Sequence, residues 1–148
     1  PGVRISSAAA VRIGPSCMLA SGVYITDGDW HGIYDRVSIG RAQPVSLGPN
    51  VWVGDSAIVC KGVAIGANSI IGAGSVVVDD IPANAIAAGN PARVVKLLDP
   101  AAALTTRADW YADPARLARD FELLDRANLA GNTFGHWLRT LLRPLRGD

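Results

Sequence analysis

The chain has 148 residues, 14 basic against 13 acidic side chains for a formal charge of +1, and 49% hydrophobic residues. That length allows one compact domain with a tail, and the near-balanced charge excludes a surface built to wrap nucleic acid. Sixteen Gly and nine Pro would suggest disorder in a polar chain, but the hydrophobic content and a fixed spacing of apolar residues require a folded object.

No charged-then-apolar leader opens the sequence, and no run of about 18 apolar residues occurs, which predicts a cytosolic chain without a spanning helix. From Ile13 an aliphatic residue recurs every sixth position, at Ile13, Leu19 and Ile25. The register lapses between Asp29 and Pro44 and then runs unbroken through Leu47, Val53, Val59, Ile65, Ile71 and Val77. Gly follows four of these, at Gly48, Gly54, Gly66 and Gly72. The fourth positions, Ser16, Gly22, Gly28, Asn50, Ser56, Gly62, Asn68, Gly74 and Asp80, are mostly residues that tolerate a left-handed backbone or close a turn with their own side chains.

A period of six fits neither a helix nor an alternating strand. Each hexad therefore reads as a short strand plus a corner in a solenoid of stacked coils. The interruption, Asp29-Trp30-His31-Gly32-Ile33-Tyr34-Asp35-Arg36 and onward, mixes aromatic, charged and His side chains, and insertions of this kind leave a solenoid as loops on one face, often the binding face. One inward aliphatic row is a thin core against a backbone ordering cost of about 1–2 kcal/mol per residue, so further burial between subunits is expected and the chain should be an oligomer.

Cys17 and Cys60 form neither a disulfide framework nor a zinc spacing. Cys17 falls at an inward fifth position, where a small apolar side chain is expected, while Cys60 follows the inward Val59 and faces outward. With only His31 and His136 in the chain, a three-histidine metal site is excluded by counting, and no metal is expected.

The register ends in an extended, turning exit from Ile81 to Lys96. Helix spacing begins at Pro114, with Asp113 as its start and Leu117, Phe121, Leu124 and Asn128 on one side. Gly131 breaks the chain, and a second short helix is expected over Phe134 to Leu142, ended by Pro144. The division expected is a repeat domain over 1–96 with its loop at 29–44, and a helical tail over 97–148. Arg139, Arg143 and Arg146 beside Trp137, Leu138, Leu141 and Leu142 give that tail two readings. It packs on a protein surface, or it makes weak peripheral contact with an anionic membrane face. Liposome co-sedimentation with and without residues 130–148 separates them.

Three strings carry a resemblance: Pro44-Val45-Ser46-Leu47-Gly48-Pro49-Asn50-Val51-Trp52-Val53-Gly54, the run from Ile65 to Val77, and Gly89-Asn90-Pro91-Ala92-Arg93 after Ile81-Pro82. Together they resemble the left-handed β-helix acyltransferases of hexapeptide repeats, near the maltose and galactoside O-acetyltransferase branch. The loop is more like those of enzymes acting on cell-envelope polysaccharide precursors, and Gly32 follows the His where the sugar enzymes commonly have Pro.

The resemblance implies an all-β fold, a left-handed parallel β-helix with a helical tail. It further implies a homotrimer with sites between subunits, acetyl-CoA as donor, and a hydroxyl or amine of a sugar-like molecule as acceptor. It makes His31 the general base and places Trp52, Gly54, Asp55, Ala73 and Gly74 along the pantetheine groove, with Arg93 and Lys96 toward the coenzyme phosphates.

The residue chemistry agrees. A thioester needs only a deprotonated acceptor held in line and a donor for the developing oxyanion, and imidazole can take a hydroxyl proton and return it to the leaving thiolate. Asp27, Asp29 and Asp35 flank the His; Asp29 is favoured to orient its ring, while Asp27, Trp30 and Tyr34 are candidates to contact the acceptor, the two rings offering flat faces to a sugar. Arg93 supplies a forked donor and Lys96 a point charge suited to phosphate. The alternatives are an N-acyltransferase on an amino sugar and a catalytically silent scaffold that recruits a partner or a membrane.

Overall fold

The computed structural model describes residues 2–143; Pro144 and Arg146, invoked above for the end of the second helix and its basic face, lie outside the described residues. The chain divides into two units, 1–104 and 105–148. The first extends past the expected boundary at 96, because the last strand runs to Leu97 and the Leu98 N–H then donates to the Asn84 carbonyl at 2.7 Å.

In the first unit, successive strands visit three sheets in rotation. The first sheet holds β1 (Arg4–Ser6), β4 (Tyr24–Thr26), β7 (Ile58–Val59) and β10 (Val76–Val77); the second holds β2 (Val11–Ile13), β5 (Val45–Leu47) and β8 (Ala64–Ile65). The third holds β3 (Met18–Leu19), β6 (Trp52–Val53), β9 (Ile70–Ile71), β11 (Ala85–Gly89) and β12 (Ala92–Leu97). Neighbours pair in parallel and in the register of the hexads, Val59 with Val77, Leu47 with Ile65 and Val53 with Ile71, and only β12 folds back antiparallel, onto β11.

The core is wider than one aliphatic row. First-position Ile25, Val53, Val59, Ile71 and Val77 are fully buried, and so are fifth-position Val23, Val51, Ala57, Ser69 and Ser75. A two-residue strand followed by a left-handed corner turns both positions inward. The buried hydroxyls are satisfied by neighbouring backbone: Ser69 Oγ donates to the Pro82 carbonyl at 2.7 Å, and Ser75 Oγ accepts from the Gly89 N–H at 3.1 Å, as burial of polar groups demands.

Most fourth positions take the left-handed conformation, with φ of 61° at Ser16, 57° at Asn50, 56° at Ser56 and 60° at Asn68, whereas Gly28, where the insertion departs, and Asp80, in the shortened corner after β10, do not. At one corner the asparagines also stack. Asn50 Nδ2 donates to Asn68 Oδ1 at 3.1 Å, and Asn68 Nδ2 to Asn84 Oδ1 at 3.0 Å, so each amide supports both its own turn and the coil beside it.

Besides the corner between β4 and β5 that carries the insertion, two corners depart from the period. The one between β1 and β2 is longer than an ordinary corner, so Ile5, paired with Ile25, stands off register from Ile13 and the whole strand β1 is invisible to a six-residue count. The one after β10 is shorter, which brings Ile81, buried at 4% exposure, opposite Ile65 in the second sheet rather than leaving it at a fifth position.

The second unit is helical: α1 (Arg107–Tyr111), α2 (Pro114–Leu129) and α3 (Phe134–Leu142). Asp113 caps α2 by accepting from the Arg116 N–H, with Pro114 in the first turn, and Thr133 caps α3 by accepting from the His136 N–H, both as N-cap chemistry prescribes. The short α1 was not foreseen. It carries Trp110, whose Nε1–H donates to Asp120 at 2.9 Å and whose ring meets Phe121 at 5.4 Å. Among the described residues no helix is long and apolar enough to cross a membrane.

Candidate functional site

The insertion leaves the first unit at the corner between β4 and β5. Its root is pinned by Asp27, which is fully buried. The carboxylate accepts from the Ala8 N–H at 2.7 Å, the Ser7 hydroxyl at 2.8 Å and the Ala9 N–H at 2.9 Å. Those donors belong to the long corner after β1, so the acid closes an otherwise frayed turn. The Ala8 amide chiefly, with Ser7 and Ala9 in support, holds the Asp27 carboxyl down at about 2 against the penalty of burial.

A carboxylate so committed has little left to offer an acceptor, although Asp27, expected to contact one, does line the smaller of the two clefts beside the loop. Its depressed pKa means that its stabilising effect is complete above the ordinary carboxylate range and is lost as pH falls from about 4 toward 2. Asp27→Asn, which turns an N–H toward an N–H, should lower the thermal midpoint at pH 7 by about 5 °C or more and flatten its fall across that acid window. Melting curves at stepped pH check this; parallel wild-type and variant profiles would contradict it.

Above the root, the loop folds on itself. The Gly32 N–H donates to the Ser38 carbonyl at 3.2 Å, and Asp35 closes the tip by accepting from the Val37 N–H at 3.2 Å. Gly32 is required there, since a Cβ would lie 2.7 Å from both the Asp35 carbonyl oxygen and Ser38 Oγ. His31 Nδ1 stands 3.0 Å from the Gly32 carbonyl oxygen. A carbonyl only accepts, so this contact puts the ring proton on Nδ1 and leaves Nε2, in the neutral ring, as the nitrogen with a lone pair.

The carboxylate favoured to orient the ring is engaged elsewhere: Asp29 pairs with the Lys61 ammonium. The correction is physical, because a full positive charge outcompetes a neutral imidazole for a carboxylate.

His31 opens onto a cleft of about 450 Å³. The loop contributes Asp29, Trp30 and His31 to it, and the outward faces of β4 and the β7 edge contribute Tyr24, Thr26, Ile58 and Cys60. Tyr24, Thr26 and Ile58 were missed by sequence reasoning, and Cys60, read as outward, was not placed at the site. Burial, reinforced by the nearby Asp29 carboxylate, pushes the Cys60 thiol up, so it forms an uncharged wall and not a thiolate nucleophile.

A second, smaller cleft lies on the other side of the loop root, where Ser6, Ser7 and Ala8 face Thr26, Asp29 and Trp30. Trp30, 80% exposed, borders both clefts, whereas Tyr34, 100% exposed, lines neither.

The residues expected along the coenzyme groove lie elsewhere. Trp52 stands on β6 in the third sheet, 45% exposed. Ala73 and Gly74 form the exposed corner between the third and first sheets, and Asp55, at the equivalent corner a coil earlier, accepts from the Ser21 N–H at 3.1 Å. Gly54 is buried, and a Cβ on it would strike the Ala73 nitrogen at 2.7 Å, so it is a packing glycine and not an open ligand surface. Arg93 pairs with Asp79 at 2.8 Å, with both side chains mostly exposed, and Lys96 is exposed on β12 opposite Ile86. Within one chain, the His31 loop therefore leaves from the edge between the first and second sheets, while the Ala73–Gly74 corner lies on the edge between the third and first.

Residues 44–79 match the bacterial transferase hexapeptide family of six repeats. The galactoside O-acetyltransferase of Escherichia coli (strain K12) is 53% identical over 53 residues, which is 36% of this chain and 26% of that protein. Matches of this kind span a third or less of the length of the curated relatives. Among solved structures, a maltose O-acetyltransferase from Clostridium difficile 630 is 31% identical with a TM-score of 0.56, over 66% of this chain and 67% of that one. A galactoside acetyltransferase in complex with coenzyme A is 30% identical with a TM-score of 0.58, over 67% of this chain and 60% of that one. With the hexad register, the parallel three-sheet winding and these likenesses in agreement, the chain belongs to the hexapeptide-repeat transferase family.

Proposed function

We propose that this chain is an acetyl-CoA-dependent O-acetyltransferase whose acceptor is a hydroxyl of a sugar or cell-envelope polysaccharide precursor, with His31 as general base. The observation that carries the reading is the imidazole at the cleft with its Nδ1 directed to the Gly32 carbonyl. A neutral ring so fixed presents Nε2 to a hydroxyl; His31 takes that proton as the oxygen attacks the thioester carbonyl, and returns it to the sulfur as the C–S bond breaks. A backbone N–H beside the cleft meets the developing oxyanion, and Trp30 offers its face to the acceptor ring.

Trp52, Ala73 and Gly74 form the coenzyme surface, with Lys96 and Arg93 toward its phosphates. The exposed Arg93–Asp79 pair is worth little in water, so a phosphate can take the guanidinium. Because the His31 edge and the coenzyme edge of one chain are separated by a sheet, a neighbouring copy must bring its own coenzyme edge to this His31. This separation supports a homotrimer of left-handed β-helices with sites between subunits.

The test mixes the protein with acetyl-CoA and a panel of sugars and follows free thiol, with product mass distinguishing ester from amide. Release with at least one sugar and an ester product is expected. An amide would move the chemistry to an amino-sugar acceptor, and no release with any sugar would leave the silent scaffold.

A further inference from the structure

We propose that Lys61 is a positioning residue that clamps the neck of the His31 loop from the neighbouring coil; the inference rests on the reading of His31 as the base. Lys61 sits at the corner between β7 and β8, the corner equivalent to the one from which the loop departs a coil earlier. Its ammonium bonds the Asp29 carboxylate on the outgoing limb and the Arg41 carbonyl, at 3.3 Å, on the returning limb. The limbs already approach closely: the Gln43 N–H donates to the Asp27 carbonyl at 2.7 Å, and a Cβ on Gly40 would lie 2.6 Å from that of Asp29. Next to the lysine, the Gly62 N–H donates to the Gln43 carbonyl at 3.0 Å.

An ammonium with several donors on a flexible stem is the group that can satisfy a carboxylate and a carbonyl on two different strands of backbone at once. His31 is two residues beyond Asp29, so any splaying of the neck moves the imidazole over the cleft. The pairing has an electrostatic consequence as well. It neutralises Asp29, a carboxylate lining the same cleft, where negative charge must develop during transfer.

The experiment compares wild type, Lys61→Met and Lys61→Arg in the full chain by hydrogen exchange, thermal melting and kinetics. Lys61→Met should speed exchange of peptides within 27–44 by about 10-fold or more while exchange in the other coils stays unchanged. It should also lower kcat about 10-fold with the KM for acetyl-CoA unchanged, and Lys61→Arg should restore both. With only His31 and His136 in the chain, His31→Ala identifies the loop imidazole in NMR spectra, and that resonance should change in Lys61→Met.

Exchange unchanged in 27–44, or raised equally in every coil, overturns the clamp, as does a loosened loop with full kcat. The exchange and NMR readings need no turnover, so an active His31→Ala protein would remove the base and leave the clamp standing.

Discussion

Replacing His31 by Ala lowers kcat by about 100-fold or more, the usual contribution of a positioned general base, while acetyl-CoA binding is retained. The expectation follows from the separation of the parts. The imidazole is on the loop, and the residues read as coenzyme contacts are on β6, β12 and the Ala73–Gly74 corner, so truncating the ring leaves the donor surface intact. The loop should survive the change, because its internal contacts run through the Gly32 N–H, the Asp35 turn and the Lys61 bridge rather than through the ring beyond Nδ1. Steady-state kinetics with any sugar that releases thiol measure kcat, and calorimetry with coenzyme A measures binding. A kcat unchanged in the variant would falsify the assignment of the base. A loss of coenzyme A affinity equal to the loss of kcat would place His31 in binding instead.

Much of this arrangement was legible because the hexad is a physical unit. A short strand and a left-handed corner leave a first and a fifth position inside, so Val53, Val59, Ile71 and Val77 declare the winding, and Asn50, Ser56 and Asn68 declare the corners. The insertion stood out for the complementary reason: Asp29 to Pro44 breaks the six-residue register and opens on a mixture of aromatic, charged and His side chains. The parts that could not be read depend on stacking, which a linear pattern does not contain. Ser7 to Ala10 lengthens one corner and hides β1, and the acid that stabilises this turn, Asp27, lies a coil later. Lys61 occupies an ordinary corner position, and its contact with Asp29 spans 32 residues of sequence. Asp29 therefore looked like a partner for the adjacent His31, since proximity along the chain was the visible relation and the coil beneath was not. The outward residues Tyr24, Thr26, Ile58 and Cys60 are silent for a related reason. A strand of two or three residues is too short for its alternation to stand out in a linear pattern, so its outer face can be assigned only once the sheet is known.

The second-position glycines pose the same stacking problem, and Gly54 tests it. Gly54→Ala should cost about 3 kcal/mol or more, at or beyond the upper end for an overpacked site, and lower the thermal midpoint by roughly 10 °C or more. Its backbone donates to the Ile71 carbonyl at 2.8 Å, and an added Cβ would stand 2.8 Å from that same oxygen and 2.7 Å from the Ala73 nitrogen. Both are main-chain atoms of the adjoining coil, held near the spacing of about 4.8 Å that the ladder imposes, so no side chain can swing aside to make room. The methyl must push the coils apart and strain the ladder bonds around Val53 and Ile71.

Gly131→Ala provides the contrast, because a Cβ there meets nothing within 4 Å, and it should shift the midpoint little. Gly74→Ala lies between them. Its space is open but its φ is +67°, so the cost is the left-handed penalty of about 1–2 kcal/mol. Thermal melts of the three variants should therefore order as Gly54, Gly74, Gly131 from most to least damaging. If Gly54 instead served the coenzyme directly, its Ala variant would keep the wild-type midpoint and lose affinity for coenzyme A, and that result would return it to the binding surface.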